Sequence, residues 1–263
     1  MSPLGALLWA AACQGAFQLV AYGLSRLWGA LDLMALGAAQ AIVYLGCIWA
    51  MLRGLSPAAP LRQSLGLRPT HIGLGLVGMA LGVALKLPAE SLTRMVEGWA
   101  PTPESQLSSR AALFRTDTLG QVLVLVVVLC VLAPLVEELF FRGACFGRLV
   151  RSGPRAAALL SGATFVVVHP DARQWPALSV VAAVLSCLRV ASGSLLPCLG
   201  LHVTFNAAGV FALVTGAASV TRPLAVPPAP LLASWLAAGL LLVVLVRLAN
   251  NPGASSARAE DRA

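Results

Sequence analysis

Residues 122–142 read V-L-V-L-V-V-V-L-C-V-L-A-P-L-V-E-E-L-F-F-R, an apolar run from Val122 to Ala133 that passes directly into Pro134 to Arg142. Such a run continues as a membrane helix, and it carries two adjacent carboxylates inward at a cost of about 3 kcal/mol each on insertion scales. Ionisable side chains placed there mark a functional site by default. On a helix Glu138 and Arg142 are i,i+4 neighbours on one face, whereas Glu137 lies about 100° round the axis with no cation at that spacing. The spacing makes Glu138 the ion-pair member and leaves the Glu137 carboxylate free for chemistry.

The composition agrees with a membrane setting. Of 263 residues, 59% are hydrophobic and 11% charged, far from the balance of a soluble domain. The net charge of +8 does not point to nucleic acid, because Lys86 is the only lysine and the arginines are scattered between apolar runs. That pattern anchors a polytopic protein against anionic lipid. The expected partners are membrane lipids and a peptide or protein substrate at the membrane. Cys13, Cys47, Cys130, Cys145, Cys187 and Cys198 stand singly with no C-x-x-C pair, and read as small buried hydrophobes. The opening M-S-P-L-G-A-L-L-W-A lacks a basic start, so it reads as a first span and not as a cleaved signal peptide.

A spanning helix takes about 20 mostly apolar residues. The expectation is an all-α, polytopic transmembrane helix bundle of about eight spans: Leu4 to Leu24, Leu33 to Leu52, Ile72 to Leu87, Leu119 to about Arg142, Ala156 to His169, Ala177 to Val190, Leu195 to Val214 and Pro230 to Leu248. The fifth and sixth are short, with Pro170 and Pro176 marking the turn between them. One transmembrane helical domain is expected over residues 1–250, with its motif core at 134–209 and a disordered tail at 251–263. In the longest non-spanning stretch, Pro88 to Asp117, Leu92, Met95, Val96 and Trp99 share one face, the pattern of a short helix lying in the interface. It serves there either as a lid packed on neighbouring spans or as a substrate gate. Counting arginines by loop parity favours cytoplasmic termini, and the Arg-over-Lys, Ala/Leu/Gly-rich composition suggests a bacterial inner membrane.

Of three histidines, His169 closes F-V-V-V-H, and His202 opens H-V-T-F-N with Asn206 one helical turn on along the same face. A lone histidine in an apolar helix is ordinarily a hydrogen-bonded packing residue. Two histidines, an asparagine and a carboxylate pair on three spans of one small bundle exceed that explanation, since intramembrane ionisable groups face a bundle interior or wet cavity and pair there. His71, in the R-P-T-H turn, and Asp32 read as structural.

Glu-Glu-x-x-x-Arg (Glu137, Glu138, Arg142), Phe-x-x-x-His (Phe165, His169) and His-x-x-x-Asn (His202, Asn206), in that order and on separate spans, resemble the three motifs of the CPBP family. That family comprises the type II CAAX prenyl endopeptidases and the bacteriocin-processing or immunity relatives, also called the Abi family. The motifs cover about the central third of the chain, Pro134 to Gly209, and their placement on the fourth, fifth and seventh of eight spans is similar to the family architecture. The resemblance implies a multi-pass intramembrane endopeptidase with catalytic Glu137, Glu138, His169, His202 and Asn206. Prenylated C-terminal peptides are substrates of the eukaryotic relatives, and in a bacterium the target can be a leader peptide or a membrane protein.

Beside that resemblance, the residues support a mechanism. A carboxylate and an imidazole facing one cavity can hold a water and remove its proton as it attacks a peptide carbonyl. Glu137 would be the base, His169 would orient the water, and His202 with Asn206 would donate to the oxyanion. Phe165, one turn below His169, would fix its ring. The family is often labelled metalloprotease, and zinc held by His169, His202 and a carboxylate is the alternative. There is no H-E-x-x-H, and Asn206 suits an oxyanion better than zinc. A non-catalytic immunity factor or scaffold is a further alternative, and a proton-coupled transporter is disfavoured by the absence of a convincing inverted repeat.

The expectation under most strain is depth. By loop parity His169 lies about 21 Å along the fifth span and His202 about 10 Å along the seventh from the same side. One site therefore requires the fourth helix to run on past Arg142, or the fifth span to begin outside the bilayer. Either way, a water-filled cavity open to the cytoplasm and lined by Glu137, His169, His202 and Asn206 is expected.

Overall fold

The computed structural model describes residues 1–29, 32–55, 60–219 and 226–250. Every regular element among the described residues is helical: α1 (Pro3–Trp28), α2 (Leu33–Leu55), α3 (Leu61–Leu65), α4 (Ile72–Ala84), α5 (Lys86–Trp99), α6 (Glu104–Leu113), α7 (Leu119–Ser152), α8 (Pro154–Val167), α9 (Trp175–Ser192), α10 (Leu196–Val214) and α11 (Pro228–Ala249). Seven helical stretches are long and apolar enough to cross a membrane, and α8, with 14 residues, is the short one. The chain is a multi-pass, all-α membrane protein. The tail expected to be disordered, with Arg258 and Arg262, lies outside the described residues, as does Arg222.

Three boundaries differ from the expectation. The third span does not end before Pro88 but continues as Ile72–Trp99. Pro88 has no N–H to offer the Ala84 carbonyl, so the helix loosens there. Hydrogen bonds from Leu85 N–H to Leu81 (2.9 Å) and from Ala89 N–H to Leu85 (3.0 Å) carry it across. The amphipathic stretch thus continues directly from the third apolar helix, with Met95 and Trp99 exposed on its outer face. The sixth span is not short, because apolar helix extends over Ala172–Ser192. The fourth helix runs ten residues past Arg142 before Gly153, at φ 96°, and Pro154 turn the chain into α8. Its 34 residues measure about 51 Å at 1.5 Å each, well beyond the hydrocarbon thickness of about 30 Å.

Helix α7 begins with a capping box formed by Thr118 and Gln121, which satisfies its first free amides. Inside it, Val126–Leu132 and Leu139–Cys145 are π-helical and flank the α-helical turn Ala133–Glu138. Pro134 cannot donate to the carbonyl one turn back, and an i→i+5 pattern is one way the ladder accommodates the missing donor. Around this wide helix α2 and α8 pack through a chain of rings: Tyr44 to Phe140 (5.3 Å between centroids), Phe140 to Phe141 (4.9 Å) and Phe141 to Phe165 (5.2 Å). On the other side α4 and α10 approach closely at Gly78 and Gly82, where an added Cβ would press on Pro197 O and Leu201 O respectively. The spacing G-x-x-x-G is the signal for such an approach.

Candidate active site

The π segments of α7 widen the helix on either side of Glu137 and Glu138 and leave carbonyls for neighbours to bind. Asn206 Nδ2 donates to Leu129 O at 2.7 Å, and Arg189 Nε donates to Arg142 O at 2.9 Å. Between these two anchors the carboxylates diverge as the spacing requires. Glu138 and Arg142 are fully buried, with Arg142 Nη1 donating to Glu138 Oε1 at 3.1 Å. Arg142 also lies 4.4 Å over the Phe165 ring, a cation–π contact that holds the guanidinium against apolar surroundings.

His202, on α10, reaches the same oxygen. Its Nδ1 lies 2.8 Å from Glu138 Oε1, while its Nε2 lies 3.8 Å from Glu137 Oε2. A carboxylate only accepts, so Nδ1 carries the proton and Nε2 faces Glu137. Glu137 is held at its other oxygen: Gln40, on α2, donates Nε2–H to Oε1 at 2.7 Å. His169, just past the end of α8, has Nδ1 at 2.7 Å from Phe165 O. That carbonyl too can only accept, so Nε2 of His169 is left as the ring's open nitrogen. Phe165 stacks edge-on with both imidazoles, at 4.7 Å from His169 and 6.1 Å from His202. The two histidines that seemed to lie at different depths meet on one phenyl ring, because the long α7 lets α8 begin far from the level of Arg142.

The structure thus brings together Glu137, Glu138, Arg142, Phe165, His169 and His202. His202 Nδ1 is turned to Glu138, and one amide N–H of Asn206 is committed to Leu129 O. A cavity of about 370 Å³ reaches Asn206 and is lined by Lys86, Glu90, Arg110, Phe114 and Gly209 among others, but not by Glu137, His169 or His202. It shares Glu90, Arg110 and Ser219 with a neighbouring cavity of about 560 Å³ between α5 and α6. Both lie at the end of the bundle opposite to Met1 and Arg148, whose backbones are hydrogen-bonded to each other. As for metal, His202 Nε2 and Glu137 Oε2 face one another, but no group of three His, Cys, Asp or Glu among the described residues could hold an ion. A zinc site takes at least three protein ligands, so the donor set does not fit one.

Sequence reasoning did not single out Gln40, whose signal is a lone amide inside the small-residue run A-L-G-A-A-Q-A (35–41). Nor did it find the polar clamp beside His169. Asp171 pairs with Arg110 of α6 and, at 2.7 Å, with Arg173. Arg173 also bonds Gln106 of α6. Trp175 Nε1–H donates to the His169 carbonyl at 3.0 Å. Burial raises the Asp171 carboxyl, but hydrogen bonds from Arg173 and the charges of Arg173 and Arg110 more than offset it and hold the group below its ordinary value.

Residues 119–208 match the family described as type II CAAX prenyl endopeptidase Rce1-like. The match begins at the first residue of α7 and ends on α10, so it encloses Glu137, Glu138, Arg142, Phe165, His169, His202 and Asn206 but not Gln40. No curated protein and no solved structure gives a match to the chain.

Proposed function

We propose that the chain, whose residues 119–208 match the Rce1-like type II CAAX prenyl endopeptidase family, is an intramembrane endopeptidase hydrolysing a peptide bond with a water activated by Glu137. The observation that carries this reading is the carboxylate of Glu137, fixed at Oε1 by Gln40, with Oε2 turned toward the open Nε2 of His202 at 3.8 Å. Oε2 accepts the proton of a water as that water attacks the carbonyl carbon. His169, with its Nδ1 proton committed to Phe165 O, offers Nε2 as an acceptor that orients the same water. The oxyanion receives the second amide N–H of Asn206. His202, with its Nδ1–H committed to Glu138, turns Nε2 toward the same site. Glu137 then returns the proton to the departing amine. Glu138 stays ionised between Arg142 and His202, and its part is to hold the imidazole.

The test is turnover of a fluorogenic farnesylated peptide ending in a C-a-a-X sequence by detergent-purified protein. Glu137→Gln, nearly equal in volume but unable to accept the proton, is expected to lower hydrolysis to a small residual rate while the protein purifies with its normal thermal stability. Full turnover by that variant would remove Glu137 as the base. Absence of cleavage by the wild-type protein, across peptides with and without the prenyl group, would favour a non-catalytic membrane role.

A further inference from the structure

We propose that Gln40 is a positioning residue of the active site, holding the Glu137 carboxylate in the orientation in which Oε2 faces the substrate water. This rests on the reading of Glu137 as the base. Gln40 lies on α2, outside the region that matches the family, and its amide donates at 2.7 Å to Glu137 Oε1. Glu137 is not the member of the carboxylate pair that Arg142 neutralises. Without Gln40 its side chain would be free to rotate away.

The packing of α2 shows how the amide is held. Positions 37, 40 and 44 share one helical face. At Gly37, α2 comes so close to α7 that an added Cβ would lie 2.9 Å from Val128 Cγ1. At Tyr44 the same face is seated on Phe140 and Phe141, with ring centroids 5.3 and 6.3 Å away. Gln40 lies between these two contacts, so its reach to Glu137 is set by packing on both sides and not by a flexible loop. An amide inside a membrane span needs a partner, and here it finds the carboxylate that the mechanism uses. Gln suits the position better than a cation, since an ion pair would neutralise the base.

The experiment compares Gln40→Met, which keeps the length of the side chain and removes the donor, with Gln40→Leu as a second apolar variant. Both are made in the wild-type and in the Glu137→Gln protein, and assayed on the same farnesylated peptide. Losing the orientation of a reacting group lowers kcat by about 10- to 100-fold, with KM and thermal stability essentially unchanged. In the Glu137→Gln protein neither substitution should lower the residual rate further, because there is no base left to orient. A substrate-independent reading comes from infrared difference spectra of wild type minus Glu137→Gln, which isolate the Glu137 carboxylate bands; Gln40→Met should shift them. Unchanged kcat together with unmoved bands overturns the role of Gln40 while leaving Glu137 as the base. A Glu137→Gln protein with full activity overturns the base itself. A Gln40 effect that is confined to thermal stability, or that adds fully to the Glu137→Gln loss, shows a packing role and overturns the proposal as well.

Discussion

Adjacent residues of one helix point about 100° apart, and in this bundle that angle separates two carboxylates into different surroundings. Glu138 turns into a fully buried triad with Arg142 and His202, while Glu137 turns toward Gln40 and the open side of His202. Among the described residues Glu138 Oε2 and Arg142 Nε and Nη2 make no hydrogen bond, so the pair depends on its Coulomb attraction, the His202 contact and the Phe165 ring. Removing the charge of Glu138 leaves Arg142 buried without a counter-ion, and breaking a buried pair in this way costs about 3–5 kcal/mol. Glu138→Gln is accordingly expected to lower the thermal midpoint and yield of folded protein strongly, in contrast to Glu137→Gln. Thermal unfolding of the two variants in the same detergent checks this, and exchanged phenotypes would reverse the assignment of the two faces.

At the scale of the elements, the close pair is α4 with α10. Thr204 Oγ1 lies 2.8 Å from the Met79 carbonyl across this contact. Gly82 faces Leu201 O and Thr204 Oγ1 inside van der Waals distance of where a Cβ would be, and an added Cβ would also lie 2.9 Å from Phe205 N. Since backbone cannot give way as a side chain can, Gly82→Val should destabilise by about 1–3 kcal/mol and shift His202 and Asn206, which lie on the same helix. Lower thermal stability with reduced turnover is expected; wild-type behaviour would show that the two helices have room to part.

The α6 clamp gives a second element-scale expectation. The Asp171 carboxyl titrates below its ordinary 3.8 in the folded protein. A group with a depressed value stabilises the fold above its unfolded value and loses that contribution as pH falls through the folded one. The contacts from Asp171 to Arg110 and Arg173 should therefore be intact at neutral pH and open only below about 3.8. Hydrogen exchange of residues 103–113 should speed up in that acid range and not between pH 5 and 8.

For the whole molecule, Met1, Arg148 and Arg189 lie at one end of the bundle and α5, α6 and Asp171 at the other. If the arginine-rich end is cytoplasmic, as the positive-inside rule favours, the cavities between α5, α6 and α10 open to the outer side. In a cysteine-free background, Arg151→Cys should react with a hydrophilic thiol reagent from the cytoplasm and Gly98→Cys from the opposite face. The reverse pattern would invert the topology.

The helical class, the eight apolar stretches and the motif residues were legible in the sequence because each depends on local properties: hydropathy over about 20 residues, an i,i+4 pair, a proline. The pairing of Glu138 with Arg142 belongs to the same order, since both sit on one helix. What only the tertiary structure decided is which groups from different helices meet. His202 turned to Glu138 because α10 passes α7 at the level of the carboxylate pair. Asn206 was drawn to a carbonyl that a π-helical segment leaves within reach. His169 came level with His202 only because α7 runs ten residues beyond Arg142 before turning. Gln40, unremarkable in a run of small residues, became the partner of Glu137 through the close approach of α2 at Gly37. Contacts between helices depend on depth, rotation and close approach, and these are properties of the packed bundle that no single segment carries.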